Sequence, residues 1–269
     1  MEKITLVTGA TGNLGGHVVA QLMERGGRVR ALSRRHPATD DVPDVEWCQG
    51  DLSSGQGLER ALEGVETVVH CATDGRTRNG DVAAARHLLR AAGEAGGPHV
   101  LFVSIIGVDR HPLGYYRAKY DTERLVETSG LPYTILRAAQ FHDMLHYALH
   151  QAARLPVMPV LARTGFQSVD ATHVAARAVE LSTGGPCGRV ADLPGPHTLT
   201  MADMARIYLR VTGRRRPILP LVLPGSVPRA YRQGLHLAPA PQPGSRSFEE
   251  FLRERPSVRV PEAARKAAR

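Results

Sequence analysis

A chain of 269 residues, 42% hydrophobic and 22% charged, suits one α/β domain with a sizeable core, and no linker interrupts it before the last quarter. Three widely spaced cysteines, Cys48, Cys71 and Cys187, with no CxxC pair, argue against a disulfide framework or a zinc site and fit reduced thiols in a cytoplasm. The formal charge of +8 is carried by arginines spread along the chain, with lysine only at Lys3, Lys119 and Lys266 and aromatics at 5%; stacking platforms are scarce, the Arg214-Arg215-Arg216 run reads as a solvated loop, and nucleic acid is excluded as an expected partner.

The first apolar run, Ile4-Thr5-Leu6-Val7, is too short for a signal peptide or a membrane span, so a cytoplasmic protein with no membrane partner is expected. Short β-type runs then alternate with helical patterns: strand 4–8, helix 14–25, strands 28–33 and 45–49, helix 58–62, strand 67–71, helix 81–95, strand 99–104, helix 119–128 and strand 133–136. Such alternation signals parallel strands joined by crossover helices, and the apolar Val100-Leu101-Phe102-Val103 suits a sheet covered on both faces. Beyond residue 150 the rhythm weakens to a helix at 171–181, a strand at 189–193 and a helix at 201–211. Pro217, Pro220, Pro224 and Pro228, then Pro239, Pro241 and Pro243, break regularity before a short helix at 248–253 and a frayed end at 256–269.

Between the first strand and helix stands Thr8-Gly9-Ala10-Thr11-Gly12-Asn13-Leu14-Gly15. Gly9 permits the sharp turn, Gly12 removes a side chain that would block a pyrophosphate, and Gly15 lets the helix lie close, while the helix N-terminus offers free N–H groups to the anion. The end of the second strand reads Ser33-Arg34-Arg35, with no acid until Asp40. A carboxylate there would repel a ribose 2′-phosphate, whereas Ser33, Arg34 and Arg35 can bind one, so NADP(H) is expected over NAD(H).

The TGxxGxxG turn, Gly50-Asp51-Leu52, and the Val103-Ser104-Ile105-Ile106-Gly107-Val108 strand end resemble the short-chain dehydrogenase/reductase superfamily. Tyr115-Tyr116-Arg117-Ala118-Lys119 and Leu136-Arg137-Ala138-Ala139-Gln140-Phe141 narrow the resemblance to its atypical branch, the NmrA-like NAD(P)H-binding proteins, over residues 3 to about 200 and more loosely near Glu249-Glu250-Phe251. The resemblance implies a doubly wound Rossmann-type sheet, with residues 1–140 as cofactor-binding core and 141–269 as a smaller substrate-side and C-terminal region of one domain. It places Asp51 and Leu52 near the adenine, Cys71, Ala72 and Thr73 along the cofactor, and Gln140 and Phe141 by the nicotinamide. Tyr115 and Lys119 match the catalytic Tyr-x-x-x-Lys: Lys119 would hold the nicotinamide ribose and steady charge on the phenol, which exchanges a proton with a substrate oxygen. Ser104 is either the substrate polariser or a strand cap, because the family's serine often stands one or two places later, at Ile105 or Ile106 here. Tyr116 competes with Tyr115 for the pocket.

His142, His146 and His150 repeat every fourth residue, a spacing that binds metals but lacks a further ligand; they line the substrate pocket or lie on a partly exposed face. The leading expectation is an NADP(H)-dependent oxidoreductase for a small carbonyl, quinone or related molecule, as monomer or homodimer. A non-catalytic NADP(H)-sensing regulator, or an isomerase or dehydratase on the same fold, stands beside it.

Overall fold

The computed structural model describes residues 3–35, 45–73 and 80–255. Asp40, Lys266 and the segment expected to fray lie outside the described residues. Strand β1 (Ile4–Thr8) leads through the glycine turn into α1 (Asn13–Glu24), followed by β2 (Arg28–Ser33), β3 (Val45–Gln49), α2 (Leu58–Leu62) and β4 (Val65–His70). Then come α3 (Gly80–Glu94), β5 (His99–Ile105), α4 (Gly114–Glu127), β6 (Tyr133–Ala138) and α5 (His142–Ala152). The remainder is β7 (Met158–Leu161), β8 (Gly165–Phe166), α6 (Ala171–Thr183), β9 (Gly188–Arg189), β10 (Leu199–Thr200), α7 (Met201–Val211), β11 (Ile218–Leu221), α8 (Ser226–Arg232) and α9 (Phe248–Glu254).

Seven strands form one parallel sheet in the order β3-β2-β1-β4-β5-β6-β9. Val18, Val19 and Leu22 of α1 pack with Val174, Ala175 and Val179 of α6 over one face. On the other face, Leu58 and Leu62 of α2, Leu88 and Leu89 of α3 and Val126 of α4 cover Leu6, Val68, Val100, Phe102 and Ile135. Helices on both faces explain why these strands are almost wholly apolar. This is a Rossmann-type, doubly wound α/β fold. Its strand order reverses between β1 and β4, and a crevice at the carboxyl ends of the strands is the inherent ligand position of such a sheet.

A third core belongs to the C-terminal half: Leu145 and Leu149 of α5, Met158 and Val160 of β7, Phe166, Met204 and Tyr208 of α7, and Phe248, Phe251 and Leu252 of α9. α9 starts at a capping box, Ser247 accepting from the Glu250 amide while the Glu250 carboxylate accepts from Ser247 N–H. The proline-rich stretch is more regular than expected. β11 pairs in parallel with β7 in a two-stranded ribbon, Pro220 opposite Val160 and Leu219 opposite Pro159, which edge strands tolerate. The strand expected at 189–193 is β9 plus a single bridge of Leu193 to Ala138.

Candidate active site

Two glycines of the turn are sterically required. Gly9 has φ 70°, and a Cβ on it would stand 2.8 Å from Ala72 Cα; a Cβ on Gly15 would lie 2.1 Å from the Gly9 carbonyl oxygen. At Gly12 an added Cβ would meet only that oxygen, at 3.1 Å, and otherwise open space. Gly12 is also the N-cap of α1 and brings no side-chain cap to the first-turn amides. An anion-sized cradle therefore faces a cavity of about 950 Å³, near the upper end of the roughly 300–1,000 Å³ usual for ligand pockets. The residues present fit a dinucleotide with its pyrophosphate on this turn.

Every site residue expected from the sequence lines that cavity except Ala10, which is buried in the core behind the turn. Gly9, Thr11, Gly12, Asn13, Leu14 and Gly15 form its floor, and Asn13 Nδ2 donates to Asp143 Oδ2 of α5 at 3.1 Å. At the end of β2, Ser33 Oγ donates to the Arg35 carbonyl at 2.7 Å, and the side chains of Arg34 and Arg35 are exposed along the rim. Asp51 Oδ1 accepts from the Ser53 amide at 2.9 Å and the Ser53 hydroxyl at 2.8 Å, which fixes the turn that carries Leu52. Cys71, Ala72 and Thr73 form the wall after β4. Burial, opposed by the charge of Lys119, pushes the Cys71 thiol up to about 12, so it stays protonated.

α4 begins at Gly114, five residues ahead of the expected start, so both tyrosines and Lys119 share one helix. Lys119 is buried, has no carboxylate partner among the described residues, and holds its Nζ 4.9 Å from the Phe102 ring centroid. Burial, reinforced by that ammonium, drives His70 down to about 3; the neutral ring pairs with Thr8 Oγ1 at 2.7 Å. Tyr115 is 42% exposed, whereas Tyr116 is 2% exposed and accepts from Gln140 Nε2 at 2.5 Å. Tyr116 also packs against His111, which in turn packs against Tyr231, both with ring centroids 4.4 Å apart. Burial, and secondarily Tyr231, raise the Tyr116 phenol above the ordinary tyrosine range. Ser104 Oγ and Gln140 Oε1 are buried without a hydrogen-bond partner among the described residues, and both residues line the cavity. Buried polar atoms left in that state are what a bound ligand would satisfy.

The histidine series corrects part of its expectation: none of the three lines the cavity, and His142 and His146 are buried, while His150 is half-buried. His142 sits between Ser168 Oγ and the Arg246 carbonyl, each at 2.9 Å. His146 packs against Tyr208 and Phe251, and His150 Nδ1 lies 3.1 Å from the Tyr208 hydroxyl. They join α5 to α7 and α9. Among the described residues no group of three or more His, Cys, Asp or Glu side chains could hold a metal ion.

Sequence reasoning missed Asp81, Met144 and Tyr231 in the cavity lining. It also missed the brace behind the site: Arg137 of β6 donates to Glu123 of α4 through Nε at 2.9 Å and Nη2 at 2.6 Å, both residues buried. Burial works against the Arg137 charge, but the bonds to Glu123 outweigh it and hold the guanidinium ionised. The signal was available, since Glu123 stands one turn beyond Lys119 and Arg137 interrupts an apolar strand.

Residues 9–180 match the model of a family described as NAD(P)H-binding. Over 214 residues the chain is 32% identical to (4-alkanoyl-5-oxo-2,5-dihydrofuran-3-yl)methyl phosphate reductase of Streptomyces griseus, covering 78% of this chain and 74% of the relative. It is 27% identical over 218 residues to quinone oxidoreductase 2 of Escherichia coli, again covering 78% and 74%. It is also 26% identical over 222 residues to an NmrA-like family domain-containing oxidoreductase of Aspergillus flavus, covering 78% and 72%. In fold it is similar to the Escherichia coli NADPH-dependent quinone oxidoreductase solved with NADPH (TM-score 0.81, 21% identity, 93% of this chain and 99% of that one). The Citrobacter triphenylmethane reductase solved with NADP(H) gives a TM-score of 0.78 at 19% identity, covering 93% and 99%.

Proposed function

Because the chain belongs to the NAD(P)H-binding family, within the atypical NmrA-like branch that includes quinone oxidoreductases, we propose that it is an NADP(H)-dependent reductase or dehydrogenase for a small carbonyl, quinone or related molecule. The observation that carries this reading is one cavity shared by the glycine cradle, the Ser33–Arg35 strand end and the Ser104, Tyr115, Lys119 and Gln140 side chains. Residues 9 to 15 would hold the pyrophosphate, Arg34 and Arg35 the 2′-phosphate, Asp51 and Leu52 the adenine end, and Gln140 and Phe141 the nicotinamide end. When bound, the nicotinamide would give or take hydride.

The remaining chemistry falls to the chain. Lys119, buried without an anionic partner among the described residues, would engage the ribose hydroxyls and steady negative charge on the Tyr115 oxygen. Tyr115 would exchange a proton with the substrate oxygen, and Ser104 Oγ would donate a hydrogen bond to the same oxygen. Residues 141–269 would form the substrate side; Met144 and Tyr231 from this region line the cavity.

Titration calorimetry tests the cofactor: NADPH should bind at least tenfold more tightly than NADH, and Arg34→Glu with Arg35→Glu should abolish the difference. Equal affinity in the parent chain would remove the 2′-phosphate site. Hydride transfer to a panel of quinones and aldehydes tests the reaction. A non-catalytic NADP(H) sensor is the second reading, favoured by Ile105 and Ile106 standing where the family's serine is often found. Tight NADPH binding with no transfer across the panel would select it.

A further inference from the structure

Of the nine large apolar side chains exposed among the described residues, six lie on or beside one ribbon: Leu155 and Val157 before β7, and Leu219, Leu221, Val222 and Leu223 on and after β11. Val222 is 61% exposed, the most of any. Inside the ribbon Met158 and Val160 are buried, so its inner side belongs to the C-terminal core and its outer side has no cover among the described residues.

The charge around this surface is one-sided. Residues 144–169 and 204–248, which build the ribbon and its surroundings, contain ten arginines and no aspartate or glutamate. The other 198 residues hold 24 basic against 26 acidic side chains, so the whole formal excess of +8 resides in these two stretches. Arg206, Arg210 and Arg246 are paired with Asp203, Glu249 and Asp170. Arg154, Arg163, Arg214, Arg215, Arg216, Arg229 and Arg232 make no ion pair among the described residues. Arg214–216 are exposed and stand next to Pro217, whose carbonyl receives the Met158 amide at 2.8 Å, so they flank one end of the ribbon. At the other end Arg163 follows β7, and Arg232 donates to the Leu223 carbonyl at 2.9 Å. Tyr231, between Arg229 and Arg232 on α8, lines the cavity, so this surface adjoins the substrate side of the site.

We infer that the outer face of the β7–β11 ribbon is a docking surface for an anionic lipid bilayer. Exposed leucine and valine flanked by unpaired arginine is the pattern of an interfacial surface: apolar side chains enter the headgroup boundary and the guanidinium groups meet lipid phosphates. A second copy of the chain is disfavoured, because a two-fold pairing of this face sets the unpaired arginines against one another, and neither stretch holds a carboxylate to meet them. Nucleic acid would match the charge and leave the leucines in water. The expectation of no membrane partner rested on the lack of an apolar span. Among the described residues no helix is long and apolar enough to cross a membrane, and a surface contact needs none.

Sedimentation of the full chain with vesicles tests this. Vesicles of phosphatidylglycerol and phosphatidylcholine in equal parts should carry the protein down, and vesicles of phosphatidylcholine alone should not. Replacing Arg214, Arg215 and Arg216 together by serine should weaken partition roughly a hundredfold, and replacing Leu219, Val222 and Leu223 by serine should weaken it at least tenfold. Both variants should keep the parent's circular dichroism and NADPH affinity. Binding that ignores lipid charge, or survives loss of the leucines, overturns the proposal. So does light scattering that shows a dimer dissociated by the leucine changes with no vesicle binding. Should either variant misfold, the parent's own contrast between the two vesicle types still decides.

Discussion

Tyr115 and Tyr116 are adjacent on α4 and both line the cavity, yet one is exposed and the other is buried against Gln140 and His111. The spacing to Lys119 pointed to Tyr115; the burial of Tyr116 depends on Gln140, 24 residues on, and on Tyr231, reached through His111 from a distant helix, and no local pattern encodes that. Tyr115→Phe should lower turnover about 10²- to 10⁴-fold, the usual worth of a positioned proton donor, while calorimetric NADPH affinity stays within a factor of two or so. Tyr116→Phe should instead cost about 1–3 kcal/mol of stability in urea denaturation, because Gln140 Nε2 loses its acceptor. The glycine turn was legible for the opposite reason, since its constraints are local. Gly15→Ala would drive a methyl group into the Gly9 carbonyl oxygen. It should therefore lose about 1–3 kcal/mol together with measurable NADPH binding; a variant that binds normally would show that the cradle tolerates a side chain.

The strands of the sheet were readable because a parallel strand covered on both faces is apolar throughout; β1, β2 and β3 fall where the residues predicted them. α4 was read five residues short, since Gly114-Tyr115-Tyr116 has poor intrinsic helix propensity and its N-cap, Leu113, offers no side-chain bond. Packing supplies what propensity lacks. β11 and α8 escaped notice because proline was read as a breaker, although Pro220 occupies a ribbon strand and Pro228 the first turn of a helix. Between α4 and β6 the Glu123–Arg137 pair is the principal buried polar tie. Glu123→Gln removes the buried one of the two carboxylates that face the Arg137 guanidinium and should cost up to about 3–5 kcal/mol, seen as a lower thermal midpoint. An unchanged midpoint would mean that Asp109, 3.3 Å from Arg137 Nη1, suffices alone.

Across the whole molecule the buried histidines set a direction for acid stability. Burial is the first cause in each case: His70 is held down to about 3, and His146 and His236 to about 4, from an ordinary 6.5. The unfolded chain takes up these protons first, so their neutral state costs nothing above 6.5 and stability is lost as pH falls from there toward 4. Each can contribute up to about 1.4 kcal/mol per pH unit in that window, and the thermal midpoint should drop steadily between about pH 7 and about pH 5. A flat profile would mean that these rings are hydrated. Overall architecture was legible from the alternation of strands and helices, whereas the third core was not, because its residues come from elements far apart in the chain, α5, β7, α7 and α9, that only meet in space.

At Gly107, φ 84°, a Cβ would lie 2.1 Å from the Leu235 carbonyl oxygen, so the turn after β5 and the segment after α8 touch backbone to backbone. The wall that bears Tyr231 thus rests on a surface that exists only once β5 has taken its place in the sheet. During refolding, sheet formation, reported by far-ultraviolet dichroism, should come first, and competence to bind ligand should return in a later, separate phase.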